Sequence, residues 1–125
     1  MRKTKLVQTE KIIQHIVNWL KDYANESDAK GFVIGVSGGI DSAVTSVLGA
    51  RTNLPVLCVE MPIHQSNAQM ERASNHLKYL KENWENVCSL ETDLTPLFDT
   101  FITQMPKIED AKRSELALIN ARARI

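Results

Sequence analysis

No apolar run in this sequence is long enough to cross a membrane or to act as a secretory leader. The opening stretch, MRKTKLVQTEKIIQHIVNWL, starts basic, and charged or polar residues break it before such a run develops. Neither sign of charge is in excess. Lys and Arg number 15 and Asp and Glu number 15, so no global field draws the chain to nucleic acid or to an anionic lipid surface. Any charged ligand has to be met by a local site. Cysteine is scarce too: Cys58 and Cys88 stand far apart without CxxC spacing, which predicts two reduced core thiols and a cytoplasmic setting.

What is present suffices for one core. The 125 residues, 43% of them apolar, predict a single domain over 1–125. Apolar residues recur at Ile12, Ile13, Ile16, Val17, Leu20 and Tyr23, the period of a helix over 7–23 with one buried stripe. Phe32, Val33, Ile34 and Val36 then read as a short strand buried on both faces. A helix over 41–50 follows, TNLP closes it, and Val56, Leu57, Cys58 and Val59 form a second buried strand.

Met70, Ala73, Leu77, Leu80 and Trp84 mark a third helix, and NVCSL a third strand. Leu94, Leu97, Phe98, Phe101, Ile102 and Met105 mark another helix, with Thr92 or Asp93 as its N-cap and MPKIEDAKRS as the loop beyond. Strands alternating with helices predict βαβ units and a parallel sheet, with the loops after the strands along one ligand-binding edge. The last segment, SELALINARARI, is helical in pattern and has no stop signal, so the chain is expected to be the front part of a longer protein.

Glycine is also rare, yet four of the five lie within GFVIGVSGGIDSAV at 31–44. Each glycine fixed in an ordered segment costs about 0.5–1 kcal/mol in chain entropy, so a close approach to that backbone is expected. A Walker loop needs Gly-Lys-Ser/Thr, which is missing, and Gly35, Gly38 and Gly39 lack the G-x-G-x-x-G spacing of a dinucleotide fingerprint. The segment 35–39 does satisfy the GxSxG elbow of α/β-hydrolases, with Ser37 as nucleophile. Only His64 and His76 follow it, and a single strand precedes it where an elbow follows several. His76 lies by the apolar stripe of a helix and is expected to be packed or half-exposed.

An anion site accounts for more of the loop. Consecutive N–H groups and the positive end of the next helix face an anion, and Ser37 and Ser42 add hydroxyl donors. Asp41 opposes this, since a carboxylate about 4 Å from a phosphate charge is repelled by roughly 4 kcal/mol at an effective dielectric near 20. A divalent cation between them reverses the sign. The loop therefore predicts Mg²⁺ with a polyphosphate, Asp41 holding the metal.

SGGIDS resembles the SGGxDS signature of the PP-loop, or N-type, ATP pyrophosphatases, which cleave ATP between its α and β phosphates to activate a substrate as an adenylate. More widely, the chain resembles ammonia-dependent NAD synthetases, through IVNWLKDYA leading into KGFVIGVSGGIDSAV, MP after the second strand, DLTPLFDTF after the third, and LALINARAR. These landmarks cover nearly the whole chain in the family's order.

The resemblance implies an adenine nucleotide alpha hydrolase-like, Rossmann-like α/β fold, a three-layer parallel sheet flanked by helices, here truncated. It implies ATP-dependent amidation of deamido-NAD by ammonia through an acyl-adenylate, with Mg²⁺ as cofactor and a homodimer in the full-length protein. By motif, Gly35, Val36, Ser37, Gly38, Gly39, Ile40, Asp41 and Ser42 would bind ATP, Met61 would lie against the adenine, and Asn120 and Arg124, four apart on one helical face, would bind deamido-NAD. Arg122 is expected to be an ordinary solvated charge. Family members are roughly twice as long, leaving a second metal-binding acid and further ATP contacts outside the sequence. Another PP-loop enzyme, of the GMP synthetase or tRNA-modifying kind, and a non-catalytic nucleotide-binding module are the alternatives.

Overall fold

A computed structural model describes residues 2–107 and 109–124. The order of elements is α1 (Arg2–Glu26), β1 (Phe32–Gly35), α2 (Ile40–Ala50), β2 (Val56–Glu60), α3 (Asn67–Asn83), β3 (Val87–Glu91), α4 (Thr95–Thr103) and α5 (Ala111–Arg122). The three strands are parallel and lie side by side in chain order. Right-handed crossovers between neighbours in that order put α2 and α3 on the same face. The core agrees, for Ala50 of α2 and Ala73, Leu77 and Leu80 of α3 pack together with Val36, Val56, Cys58 and Val87. This is the expected α/β architecture.

The register sorts the strand side chains. Phe32, Val56 and Val87 stand in one row, and Ile34, Cys58 and Ser89 in the next, all facing the two helices. Alternation sends Val33, Leu57, Cys88 and Leu90 to the opposite face. The expectation that the first strand is buried on both faces therefore fails, since Val33 is 75% exposed, and Leu90 on β3 is 52% exposed on the same face of the sheet. Only one of the two thiols is a core thiol, because Cys58 is buried whereas Cys88 is exposed. Burial first, and the neighbouring Cys88 second, push the Cys58 thiol above its ordinary range.

Three helix starts differ from the periodicity. α3 begins before Met70 because Ser66 caps it, its hydroxyl accepting from the Gln69 N–H at 3.2 Å. α4 has Leu94 as its N-cap residue, while Asp93 accepts from the Thr95 N–H at 2.9 Å, so the acid serves the helix from one position further out. That bond, with a second from the Thr95 side chain, draws the Asp93 carboxyl below the usual range. The loop expected over 105–114 ends early because Asp110 caps α5 by accepting from Lys112 and Arg113. Ile125 falls outside the described residues. A second small cluster of Ile63, Phe98 and Ala121, flanked by Leu94 and Ile102, joins α4 and α5 to the segment after β2.

Candidate functional site

The loop between β1 and α2 is held on three sides. Val36, 6% exposed, donates its N–H to Val59 O at 2.9 Å and keeps the chain beside β2 past the end of β1. Gly38 then turns with φ +83°, and a Cβ there would lie 2.5 Å from Gln69 O in the first turn of α3. The close approach that glycine permits thus comes at this position from the chain's own backbone. Arg72 fixes the same residue from α3, donating from Nε to Gly38 O at 3.3 Å.

Gly39 is the N-cap of α2 and offers no side-chain acceptor to the helix. Ser66 and Asp110 do supply one to α3 and α5. The N–H groups of Ile40, Asp41 and Ser42, which have no carbonyl behind them in the helix, are left to meet an anion. The serines brace the turn: Ser42 Oγ accepts from Ser37 N at 3.1 Å and donates to Gly39 O at 3.2 Å, and Ser37 Oγ accepts from Gly39 N at 3.3 Å. The two hydroxyl oxygens lie 3.3 Å apart, so the Ser37 hydrogen is free to turn from Ser42 to a ligand.

The hydrolase elbow is not built here. Among the described residues, Ser37 bonds to Gly39 and Ser42 and to no histidine. His64 pairs with Asp99 at 2.6 Å, and His76 with Ser46 at 2.7 Å. Positive φ outside glycine occurs at Asp28, Asn53 and His64, so Ser37 carries none of the strain that a nucleophile elbow stores. His76 is half-buried between helices as expected, and burial lowers its pKa.

Beside the loop, between the ends of β1 and β2 and the start of α3, lies a cavity of about 270 Å³ walled by Gly35, Ser37, Met61, Gln65, Gln69 and Met70. Met61, expected to lie against an adenine, borders this cavity with its Cε 3.8 Å from the point a Cβ on Gly35 would occupy. Its apolar walls and few amide groups suit a flat heterocycle. Glu60 also borders this space. It is 7% exposed, and burial, then its strand neighbour Glu91, raise its pKa, with Lys81 pulling weakly the other way.

Asp41 is exposed in the first turn of α2 and has no ion-pair partner among the described residues. No group of three or more His, Cys, Asp or Glu side chains able to hold an ion occurs there either. One open carboxylate beside an anion cradle fits Mg²⁺ that arrives with phosphate oxygens and keeps its waters, rather than an ion caged by protein.

The proposed substrate residues lie apart from this cavity. Asn120 is exposed on α5, and Arg124 lies beyond the helix, its N–H turning back to Ala121 O at 3.2 Å. That i→i−3 bond tightens the last turn, while Ala123 before it keeps a right-handed helical backbone and bonds back to Ile119 O. Arg122 is exposed, as expected of a solvated charge, and in addition donates to Ile63 O, tying α5 to the segment carrying Met61. Sequence reasoning also missed Gln65 and Gln69, which precede Met70 where the apolar period first marks α3, and Arg72, whose partner Gly38 is distant in the chain.

Residues 12–125 match the NAD synthase family. The NH(3)-dependent NAD(+) synthetase of Malacoplasma penetrans is 33% identical over 116 residues, 92% of this chain and 43% of that protein. The enzyme of the same description from Mesoplasma florum is 31% identical over 123 residues, 95% of this chain and 47% of its own length. Among solved structures, the NH3-dependent NAD synthetase of Campylobacter jejuni superposes with a TM-score of 0.73 at 28% identity, over 89% of this chain and 45% of that one. The NMN synthetase of Francisella tularensis gives 0.68 at 33% identity, over 75% and 38%. The chain spans about half the length of the curated relatives it matches.

Proposed function

The chain belongs to the NAD synthase family, and from that membership we propose that the protein uses ATP to amidate deamido-NAD with ammonia, giving NAD, AMP and pyrophosphate. The observation that carries the reading is the uncapped start of α2, with its three N–H groups, Ser37 and Asp41, next to the cavity bounded by Met61. Adenine occupies that cavity, and the phosphates run to the start of α2. A nicotinate carboxylate oxygen attacks the α-phosphorus, the bond from that phosphorus to the bridging oxygen breaks, and its electron pair leaves with pyrophosphate. Ammonia then adds to the acyl carbon, a C–N bond forms, AMP departs, and the surplus proton passes to water.

The chain's own part is electrostatic. Backbone donors of Ile40, Asp41 and Ser42 and the Ser37 hydroxyl hold charge as it gathers on the departing group. Asp41 would hold Mg²⁺, which would supply Lewis-acid charge neutralisation when bound. No side chain forms a covalent bond to substrate. Asn120 and Arg124 meet the deamido-NAD, carried toward the site by the anchored end of α5. The proposed setting is cytoplasmic; separately, no helix among the described residues is long and apolar enough to cross a membrane. The assembly is a homodimer, for which Leu116 and Ile119, 60% and 56% exposed on α5, supply apolar surface.

The test is to supply the purified protein with ATP, Mg²⁺, deamido-NAD and ammonium and to follow the products. NAD with AMP and pyrophosphate supports the proposal; ADP defeats it. Nicotinate mononucleotide as a competing acceptor decides which pyridine nucleotide is amidated, since one structural neighbour bears the name NMN synthetase. The second reading is a nucleotide-binding module without catalysis, since the cavity and the start of α2 account for nucleotide contacts alone. Mg-ATP binding by calorimetry without turnover would select it, and an Asp41→Asn variant that binds Mg-ATP as well as the parent would remove Asp41 from the metal.

A further inference from the structure

A cleft of about 630 Å³ opens on the other side of the loop, between α2 and α3, bounded by Gly38, Gly39, Ile40, Ala43, Arg72 and His76. Arg72 is exposed on α3, uses Nε on Gly38 O, and has no carboxylate within ion-pair distance among the described residues. Its two terminal nitrogens are therefore uncommitted. His76, on the next turn of α3, spends Nε2 on Ser46, and burial lowers its pKa. Among the described residues, Arg72 is the one full positive charge lining this cleft, beside a loop whose own side chains contribute only the negative charge of Asp41.

We propose that Arg72 is a further substrate-binding residue, whose guanidinium reaches around the Gly38 turn to the β and γ phosphates of the nucleotide and holds the pyrophosphate as it leaves. The inference rests on the nucleotide reading of the loop given above. A guanidinium presents paired N–H donors that match phosphate oxygens, and the Gly38 bond fixes its position before the ligand arrives. The loop amides supply fractional charges, and Asp41 needs a metal to be tolerated. Arg72 adds a whole charge at the end of the tail, where the electron pair of the breaking bond arrives.

The test separates the phosphate tail from the rest of the nucleotide. Affinities of AMP, Mg-ATP and Mg-pyrophosphate are measured by calorimetry for the parent, Arg72→Gln and Arg72→Lys. The glutamine variant should bind ATP and pyrophosphate about ten- to hundredfold more weakly, the worth of one or two charge-assisted hydrogen bonds, and bind AMP as the parent does. Lysine, which keeps the charge but not the fork, should recover part of the loss. Equal losses for AMP and ATP would mean that Arg72 only braces Gly38 and would overturn the proposal, as would unchanged ATP binding. A parent that binds neither ATP nor pyrophosphate overturns the nucleotide reading and this inference together.

Discussion

Gln69 O lies 2.5 Å from the point where a Cβ on Gly38 would stand, which welds the first turn of α3 to the loop in front of α2. No side chain escapes that contact by changing rotamer, since both partners are main chain. The positive φ of Gly38 adds to it, because an L residue held there is strained. Gly38→Ala should lose roughly 1–3 kcal/mol of stability and weaken Mg-ATP binding as the loop shifts. Gly35→Ala is the control, because its new methyl meets only Met61 Cε at 3.8 Å, an ordinary contact. Urea denaturation of the two variants reads the difference, and equal effects would mean that α3 yields to the new methyl.

Ser46 is fully buried, donating to Ala43 O at 2.8 Å while meeting His76 Nε2 at 2.7 Å. Burial holds the pKa of His76 below its ordinary 6.5, so the unfolded chain takes up a proton more readily than the folded one. This contribution to stability is complete above pH 6.5 and is lost as the pH falls from there through the lowered folded value. His76→Gln should flatten that fall below pH 6.5, and Ser46→Ala should lose about 1–3 kcal/mol by leaving a half-buried ring nitrogen unpaired. Denaturation midpoints across the pH range check both. A His76→Gln profile parallel to the parent's would remove His76 as the cause.

The parts of the fold that were legible in the sequence are those fixed by near neighbours. Phe32 to Val36, the Ser37-Gly38-Gly39 turn and the small residues of α2 announce a strand, a bend and a helix within twenty positions, each by its own period or punctuation. Which face of the strand is covered is a different matter. Val33 and Ile34 are equivalent letters in a β-branched run, and only the order β1-β2-β3, with both crossovers on one side, exposes the first and packs the half-buried second against the core. Loop residues Gly35 to Ser42 and Met61 were found because they carry a motif or border one. Arg72 was not, because its partner Gly38 is far away along the chain and no local pattern links an arginine on an exposed helix face to a distant carbonyl.

Arg122 illustrates the same limit and gives a prediction of its own. Its donation to Ile63 O spans two elements, and it joins the contact of Ala121 with Ile63 and Phe98 in holding α5 against the segment after β2. Arg122→Ala should release α5 locally while sparing the main core of Val56, Cys58 and Leu80. Amide exchange should then quicken along α5 and at Ile63, with the amides of β2 unchanged. Faster exchange in β2 would mean that the two clusters unfold as one unit.

Glu60 presents the opposite sign to His76. Its carboxyl is buried beside Glu91, which raises its pKa above 4.5, so here the folded chain binds the proton more readily than the unfolded one. Stability from this group is complete below pH 4.5 and declines as the pH rises through the raised folded value. At neutral pH the ionised acid is a burden that Lys81 relieves only in part. Glutamine keeps the shape and hydrogen-bonding capacity without the charge, so Glu60→Gln should melt above the parent at pH 7 and draw level with it near pH 4. Glu91→Gln should give part of the same gain by removing the second-ranked cause alone. A Glu60→Gln variant that melts below the parent at pH 7 would mean that the ionised carboxylate is satisfied by a partner, and that burial of this group does not oppose folding.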